Sequence, residues 1–170
     1  MTTDPELAAS LLPELSQVLW QQRDLIERLE YRLEVQQLIM VSARTDRLPT
    51  AVGEVESAID DIRVVEERRL GVVRELARAL RLAETATITE IRAVVEPPWD
   101  YVLTDHHTAF LRLVASTDEL TSRNRELAHQ GLGDARAAFA HLGGTASQTY
   151  GKKGDRTSLS LPPTLVDQQF

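Results

Sequence analysis

Cysteine is absent from this chain of 170 residues, which excludes disulfide bonds and thiolate metal sites. Aromatic residues make up 5% of the sequence, so leucine, valine, isoleucine and alanine have to supply the core, as in helical bundles. No apolar run reaches the roughly 18 residues that a membrane-spanning helix needs. The acidic start of the chain, residues 1–6, lacks the basic and apolar regions of a secretory signal, so we expect a cytoplasmic protein.

An excess of basic charge is also missing. The chain has 26 acidic and 19 basic residues, and its formal net charge is −7. Proteins that bind nucleic acids use surplus lysine and arginine to displace counterions from phosphates, and no such surplus exists here. We therefore expect no nucleic-acid partner and no membrane insertion.

The first long apolar pattern predicts a helix over residues 10–43. Pro13 is tolerated in a first helical turn but not inside a helix, so the predicted start is near Ser10 rather than at Asp4. Apolar residues recur in alternating steps of three and four, which is the heptad pattern of a coiled coil with two polar members. These positions are Leu12, Leu15, Leu19, Gln22, Ile26, Leu29, Leu33, Gln36 and Met40.

Three more helices follow. A second heptad pattern covers residues 50–82, and its charged cluster at residues 66–69 is interpreted as a solvated face with local ion pairs. Thr87 and Glu90 have the spacing of a capping box, which predicts a short helix through Val95. Pro97 ends that helix, and Pro98 suits the first turn of a last helix from about residue 99 to 142.

These elements predict an all-α fold. Short connections place consecutive helices antiparallel, so the expected body is an elongated antiparallel helical bundle, or coiled coil, of three long helices plus one short helix. Residues 1–143 would form this domain. Residues 144–170 have too little apolar surface to order themselves and are predicted to be a flexible tail, which either frays or anchors on a partner or on the body.

The end of the last helix carries the most distinctive pattern. Asn124 places a polar residue on the apolar stripe, where it either sets the register of the bundle or takes part in partner binding. Gly131 and Gly133 then flank Leu132 and interrupt a run of good helix formers, so this end of the helix is expected to be weak and adaptable. The stripe resumes one residue out of phase at Leu132, Ala135, Phe139 and Leu142.

Residue patterns for catalysis are scarce. The glycines at 131 and 133 follow a helix rather than a strand, so they do not form a dinucleotide fingerprint. His106, His107, His129 and His141 show no metal-ligand spacing, and His106 falls on the apolar stripe as a bundle-edge residue with a hydrogen bond. We expect no metal, no cofactor and no enzyme activity, because elongated coiled coils offer few closed pockets. The sequence does not exclude a catalytic pair whose two residues are brought together only by folding.

Several segments together resemble the FlgN family of cytosolic flagellar export chaperones. The last helix bears Asn124-Arg125-Glu126-Leu127, and Tyr150-Gly151-Lys152-Lys153-Gly154 is similar to the family's tail motif. The first helix, with Leu15 to Leu33 and Gln21, Glu27 and Glu30, is similar to the family's leucine- and glutamate-rich opening. The resemblance covers about residues 10–154. The family's paired asparagines are here the single Asn124.

The resemblance implies a function that the residues alone did not show. Proteins of this family bind hook-associated proteins, which are the subunits of the hook–filament junction. They hold the C-terminal helical segments of these subunits and help deliver the subunits to the flagellar export gate. The expected partner-binding residues lie on the last helix and in the tail. They are Asn124, Leu127, Gly131, Leu132, Ala135, Phe139, Leu142, Tyr150 and Gly151.

Two other interpretations remain open at this point. A structural coiled-coil adaptor, or a self-associating bundle without a flagellar role, would use the same apolar stripes to form a homo-oligomer. A helical-bundle enzyme or metal protein would instead bring carboxylates and histidines together in its interior.

Overall fold

The chain folds into a bundle of helices. A computed structural model describes residues 4–141, and the predicted tail at 144–170 lies outside them. The helices are α1 (Pro5–Val41), α2 (Leu48–Leu80), α3 (Ile88–Arg92) and α4 (Trp99–His141), with a 3-10 turn at Thr45–Arg47. The described residues contain no strand, so the predicted all-α class is confirmed. None of these helices is long and apolar enough to cross a membrane.

The start of α1 differs from the predicted position. The helix begins at Pro5, not near Ser10, because the Asp4 carboxylate accepts a 3.1 Å hydrogen bond from the backbone N–H of Leu7. Pro13 therefore lies inside the helix. Its side chain is exposed, so the carbonyl that loses its hydrogen bond there is on the solvent side of the helix.

α1 is the central helix of the bundle. It packs against both α2 and α4, whereas no Cα atoms of α2 and α4 approach within 8 Å of each other. Hydrogen bonds from Gln22 to Glu66 and from Arg32 to the Glu54 carbonyl show that α2 is antiparallel to α1. The body is therefore held together mainly through the two faces of α1.

α4 lies parallel to α1, because the chain runs up, down and up. Ser16 approaches His106, Ser116 donates a hydrogen bond to Glu30, and Asn124 donates one to the Leu33 carbonyl. Residue numbers therefore increase in the same direction along both helices. Only one narrow row of α4 is buried, which suits a helix that packs along its length against one long helix, α1, and meets the short α3 only near its start. This row, the α4 seam, is Leu103, His106, Phe110, Leu113, Thr117, Leu120 and Asn124.

The charged cluster at residues 66–69 is only half solvated, so the prediction of a solvated face was wrong for two of its members. Glu66 is 6% exposed and Arg69 is 0% exposed. Arg69 donates two hydrogen bonds to the Glu66 carboxylate, at 2.7 and 2.6 Å, and Gln22 of α1 donates a third at 2.8 Å. Glu67 and Arg68 are exposed as expected. Burial of the pair follows from the heptad phase, which turns residues 66 and 69 inward.

α3 closes the lower corner between α2 and α4. The predicted capping box is confirmed: the Thr87 hydroxyl accepts a bond from the Glu90 N–H, and the Glu90 carboxylate accepts one from the Thr87 N–H. The Thr87 contact is also the main reason that the pKa of Glu90 is lowered. Ile88 and Ile91 are 1% and 0% exposed, so this short helix contributes to the core despite its length.

We predict that Glu66→Ala destabilises the fold by about 3–5 kcal/mol, because it leaves the Arg69 charge buried without its carboxylate. Replacing Gln22, Glu66 and Arg69 together by leucine or methionine should cost much less, since no charge is then left unpaired. Urea unfolding followed by circular dichroism measures both. If the triple replacement is as damaging as Glu66→Ala, the loss comes from packing volume rather than from the unpaired charge.

Candidate functional site

The projecting end of α4, residues 128–141, is the candidate site. Asn124 is the last buried residue of α4, Leu127 is half-buried, and every residue from Ala128 to His141 is exposed. Four expected partner-binding residues lie in this segment, and Leu142, Tyr150 and Gly151 lie outside the described residues. The four are Gly131, Leu132, Ala135 and Phe139.

The projection has a simple geometric cause. Asn124 is level with Gln36, to which it is hydrogen-bonded, and α1 ends five residues later at Val41. Because the two helices are parallel, α4 passes the end of α1 at about residue 129. The twelve residues 130–141 continue beyond it, over roughly 18 Å at ~1.5 Å per residue.

The predicted helix over this stretch is confirmed, since α4 runs through Gly131 and Gly133 without a break to His141. Each glycine weakens a helix by only about 1 kcal/mol relative to alanine, and the surrounding alanine, leucine and arginine residues favour the helix. A Cβ atom added at either glycine would meet nothing within 4 Å. The glycines therefore weaken the projecting end without making room for a neighbour.

A continuous helix turns the phase change into a rotation of the apolar surface. Leu132, Ala135 and Phe139 each stand one residue after positions 131, 134 and 138, which would continue the α4 seam. One residue out of phase corresponds to a turn of roughly 100° about the helix axis. Leu132 is 49% exposed and Phe139 is 66% exposed. Their stripe is turned by this angle from the α4 seam, and α1 ends at Val41 before α4 reaches Leu132.

Asn124 belongs to the bundle and not to this exposed stripe. Its side-chain Nδ2 donates to the Leu33 carbonyl and to the Gln36 side chain, both at 2.9 Å, and the residue is 6% exposed. Polar pairs at such positions set the register of neighbouring helices. The structure thus brings Leu132, Ala135 and Phe139 together on one surface and leaves Asn124 beneath them, against α1.

His106 lies on the α4 seam and is 1% exposed. Its Nε2 is 3.5 Å from the Ser16 hydroxyl, and the Trp20 ring meets it edge-on at 5.1 Å between centroids. The pKa of His106 is lowered to about 4, mainly by burial and to a smaller extent by the nearby Arg23, while Asp105 opposes the shift. The side chain is thus a neutral part of the packing.

Trp20 is a surface feature that the sequence analysis missed. The ring is 55% exposed, and the Arg23 guanidinium stacks 4.3 Å from its centroid while bonding Asp105 of α4 at 2.9 Å. Trp20 and Arg23 stand three residues apart and therefore share one face of the helix, so their contact could have been predicted from the sequence. Within residues 4–141, no three His, Asp or Glu side chains are grouped as metal ligands would be.

We predict that His106→Leu removes part of the acid sensitivity of the fold. Because the folded-state pKa, about 4, lies below the ordinary 6.5, the unfolded state binds more protons between these two values. Stability therefore rises with pH through this window and is fully present above it, with a total contribution of up to about 3 kcal/mol. Urea unfolding from pH 4 to 7 measures the free energy of unfolding, which should change less with pH for the variant than for the wild-type chain. The same pH dependence in both proteins would contradict a buried neutral histidine.

We predict that Gly131→Ala and Gly133→Ala strengthen the projecting end, since both positions have open space and helical backbone. Each replacement should slow amide hydrogen exchange across residues 128–141 roughly fivefold, corresponding to about 1 kcal/mol. Exchange in residues 103–124 is the internal control and should not change. Equal slowing in both regions would indicate a global rather than a local effect.

Comparison with known proteins agrees with this architecture. Residues 3–158 match the family described as FlgN protein, which is more than half of the chain. No curated protein and no solved structure matches the chain. The matched range includes all four helices and the projecting end of α4. The chain therefore belongs to the FlgN family, which is a family of chaperones in the biogenesis and export of the bacterial flagellum.

Proposed function

We propose that this protein is a cytoplasmic chaperone that binds the C-terminal helical segments of hook-associated proteins. It keeps these subunits from assembling early and aids their delivery to the flagellar export gate. Nothing is catalysed. The observation that carries the proposal is the projecting end of α4, an apolar helical surface that nothing in residues 4–141 covers.

The chemistry of this surface suits an amphipathic helix. Leu132 and Phe139 are large apolar side chains that are about half or more exposed, and Ala135 between them permits close approach of another backbone. A client helix that lays its apolar face along this stripe would remove both large side chains from water. Leu127, half-buried at the base of the projection, extends the contact toward the bundle.

A carrier has to release its cargo, and the two glycines serve this need. Gly131 and Gly133 lower the stability of the projecting end by about 1 kcal/mol each. Binding a client then has to order a weak helix, which reduces the net affinity. The resulting complex is reversible, as transfer to an export gate requires.

Three proposed contact residues follow the described part of the chain. Leu142 would extend the apolar stripe by one more position. Tyr150 offers a rigid aromatic ring with a hydroxyl, the type of side chain that anchors interfaces, and Gly151 follows it in the tail motif. Tyr150 is assigned either to the client or to the export gate. Asn124, buried against Gln36, acts by fixing where the projecting end leaves the bundle.

We predict that Leu132→Asp combined with Phe139→Asp weakens binding to the C-terminal segment of a hook-associated protein by at least about tenfold, since an apolar client face would then meet two charges. Val64→Asp on α2 is the matched control, because Val64 is an equally exposed apolar residue, at 69%, away from the stripe. Fluorescence anisotropy with a labelled client peptide measures the affinities.

Truncation after Ala128 tests the same surface by removal. The lost residues up to 141 are exposed and outside the core, so the shortened bundle should lose only the helical signal of the removed residues and keep its unfolding transition. Equal client binding by the full and shortened chains would rule out the projecting end as the client site. No binding by either would count against the hook-associated proteins as clients.

A further inference from the structure

α1 carries an exposed row of residues that no other helix covers. Arg23 and Glu30 of α1 reach α4, where Arg23 donates to Asp105 and Glu30 accepts from Ser116. The row stands beside these contacts, on the side of α1 that is turned away from the core, and its members alternate in steps of four and three. This outer row of α1 is Trp20, Asp24, Glu27, Tyr31, Glu34, Leu38 and Val41.

The outer row combines apolar side chains with acids that have no partner between residues 4 and 141. Its four apolar members are each more than half exposed. Glu27 stands between Trp20 and Tyr31, and Glu34 stands between Tyr31 and Leu38. Both glutamates are exposed, and neither makes a hydrogen bond or ion pair with the described residues. A segment that binds this row therefore has to offer basic side chains next to apolar ones.

The last part of the chain itself has this chemistry. Lys152 and Lys153 are the only lysines of the sequence, and Arg156 follows them closely, although the whole chain has a formal net charge of −7. Tyr150 precedes these three cations and Leu159 follows them. We propose that residues 150–159 dock along the outer row of α1 of the same molecule, in the direction opposite to α1.

The length of chain after α4 allows this return. α4 passes the end of α1 by twelve residues, or roughly 18 Å, and neighbouring helix axes lie about 8–10 Å apart. Tyr150 follows His141 by nine residues, which span up to about 30 Å when extended. Gly143 and Gly144 come first and suit a reversal of direction, since glycine adopts positive φ without strain. Tyr150 can therefore reach the level of Val41.

The spacing of the two segments also matches. Three residues of extended chain cover about 9–10 Å, and seven residues of a helix cover about 10.5 Å. Steps of three along the docked segment therefore keep pace with steps of seven along the outer row. Each step pairs an apolar residue with an apolar one, or a cation with a glutamate. From the end of α1 downward, the pairs are Tyr150 with Val41, Lys153 with Glu34, Arg156 with Glu27, and Leu159 with Trp20.

The covalent connection makes such weak contacts sufficient. Exposed ion pairs contribute little one by one, and salt screens them. A segment tethered at this distance, however, meets the row at an effective concentration on the order of a millimolar. The docking is therefore reversible and sensitive to salt. It holds Tyr150 against α1 and away from the client or the export gate, a consequence that, unlike the docking itself, rests on the proposed function.

A single spin label on the full chain, without client, tests the docking. Because the sequence has no cysteine, Ser158→Cys provides one labelling site beside Leu159. In low salt the label should reduce the amide signals of residues 20–31 of α1 at least about twofold in nuclear magnetic resonance spectra. About 0.5 M salt should restore them. An undocked segment would instead affect chiefly residues 128–141, from which it emerges.

Charge reversal tests the assigned pairs. Glu27→Lys combined with Glu34→Lys should return the signals of residues 20–31 to the level of the unlabelled chain, because each cation then faces a like charge. Adding Lys153→Glu and Arg156→Glu to that variant restores opposite charges, so the signal loss should reappear.

Glu56→Lys combined with Glu67→Lys is the matched control. It makes the same change of charge at two exposed glutamates of α2, which also have no partner among the described residues, and it should leave the signal loss unchanged. Equal effects of this control and of the outer-row variant would reduce the contact to general attraction and overturn the assigned pairs.

Two further outcomes overturn the proposal. In the wild-type sequence, signal loss confined to residues 128–141 would show that the segment does not dock on α1. A mixture of spin-labelled chains with isotope-labelled chains that lack the spin label should show no signal loss, and a loss there would assign the segment to a second molecule. No client is present, so these results and the client assay stand or fall separately.

Discussion

The packing of α1 against two different helices is the interaction on which the rest of the structure depends. α2 and α4 do not approach each other closely, so neither has a substitute for α1. The heptad spacing along α1 turns a nearly unbroken row of leucines, isoleucine and glutamines inward between Leu12 and Gln36. α4, which has one long neighbour, needs only its narrow seam. The length of α1 then decides where α4 loses its cover.

Two buried polar layers interrupt this apolar packing, one for each partner of α1. Gln22 meets Glu66 and Arg69 from α2, and Gln36 meets Asn124 from α4. Buried ion pairs of this kind contribute little net stability, because desolvation offsets their attraction. Their value is in alignment, since a shift of either helix along α1 would leave a buried charge or amide without its partner. The exit point of the projecting end of α4 thus depends on the Asn124 layer.

The function that fits this architecture needs no closed pocket and no reactive group. The client binding that we propose for this FlgN-family protein requires a helix to be held reversibly, and an exposed apolar stripe on a weakened helix suits this.

The sequence by itself determined much of this protein. Alternating steps of three and four residues are a local property, so the helices, the Thr87–Glu90 cap and the phase change after Asn124 could all be predicted. The start of α1 was missed because the Asp4 cap offsets the cost of an internal Pro13. The continuation of the last helix through Gly131 and Gly133 was predictable too, since two glycines do not end a helix whose other residues favour it.

Only the tertiary structure decided which residues of each helix have a neighbour. Glu66 and Arg69 resemble a surface ion pair in sequence, and their burial depends on the packing of other helices, including α1, whose Gln22 bonds Glu66. Asn124 could have served a client or the bundle, and its partner Gln36 is 88 residues away in the chain. Leu132 and Leu120 look alike in sequence, yet one is exposed because α1 ends at Val41. Whether a residue is buried depends on which distant segment packs over it and on where that segment ends. Both are properties of the assembled helices.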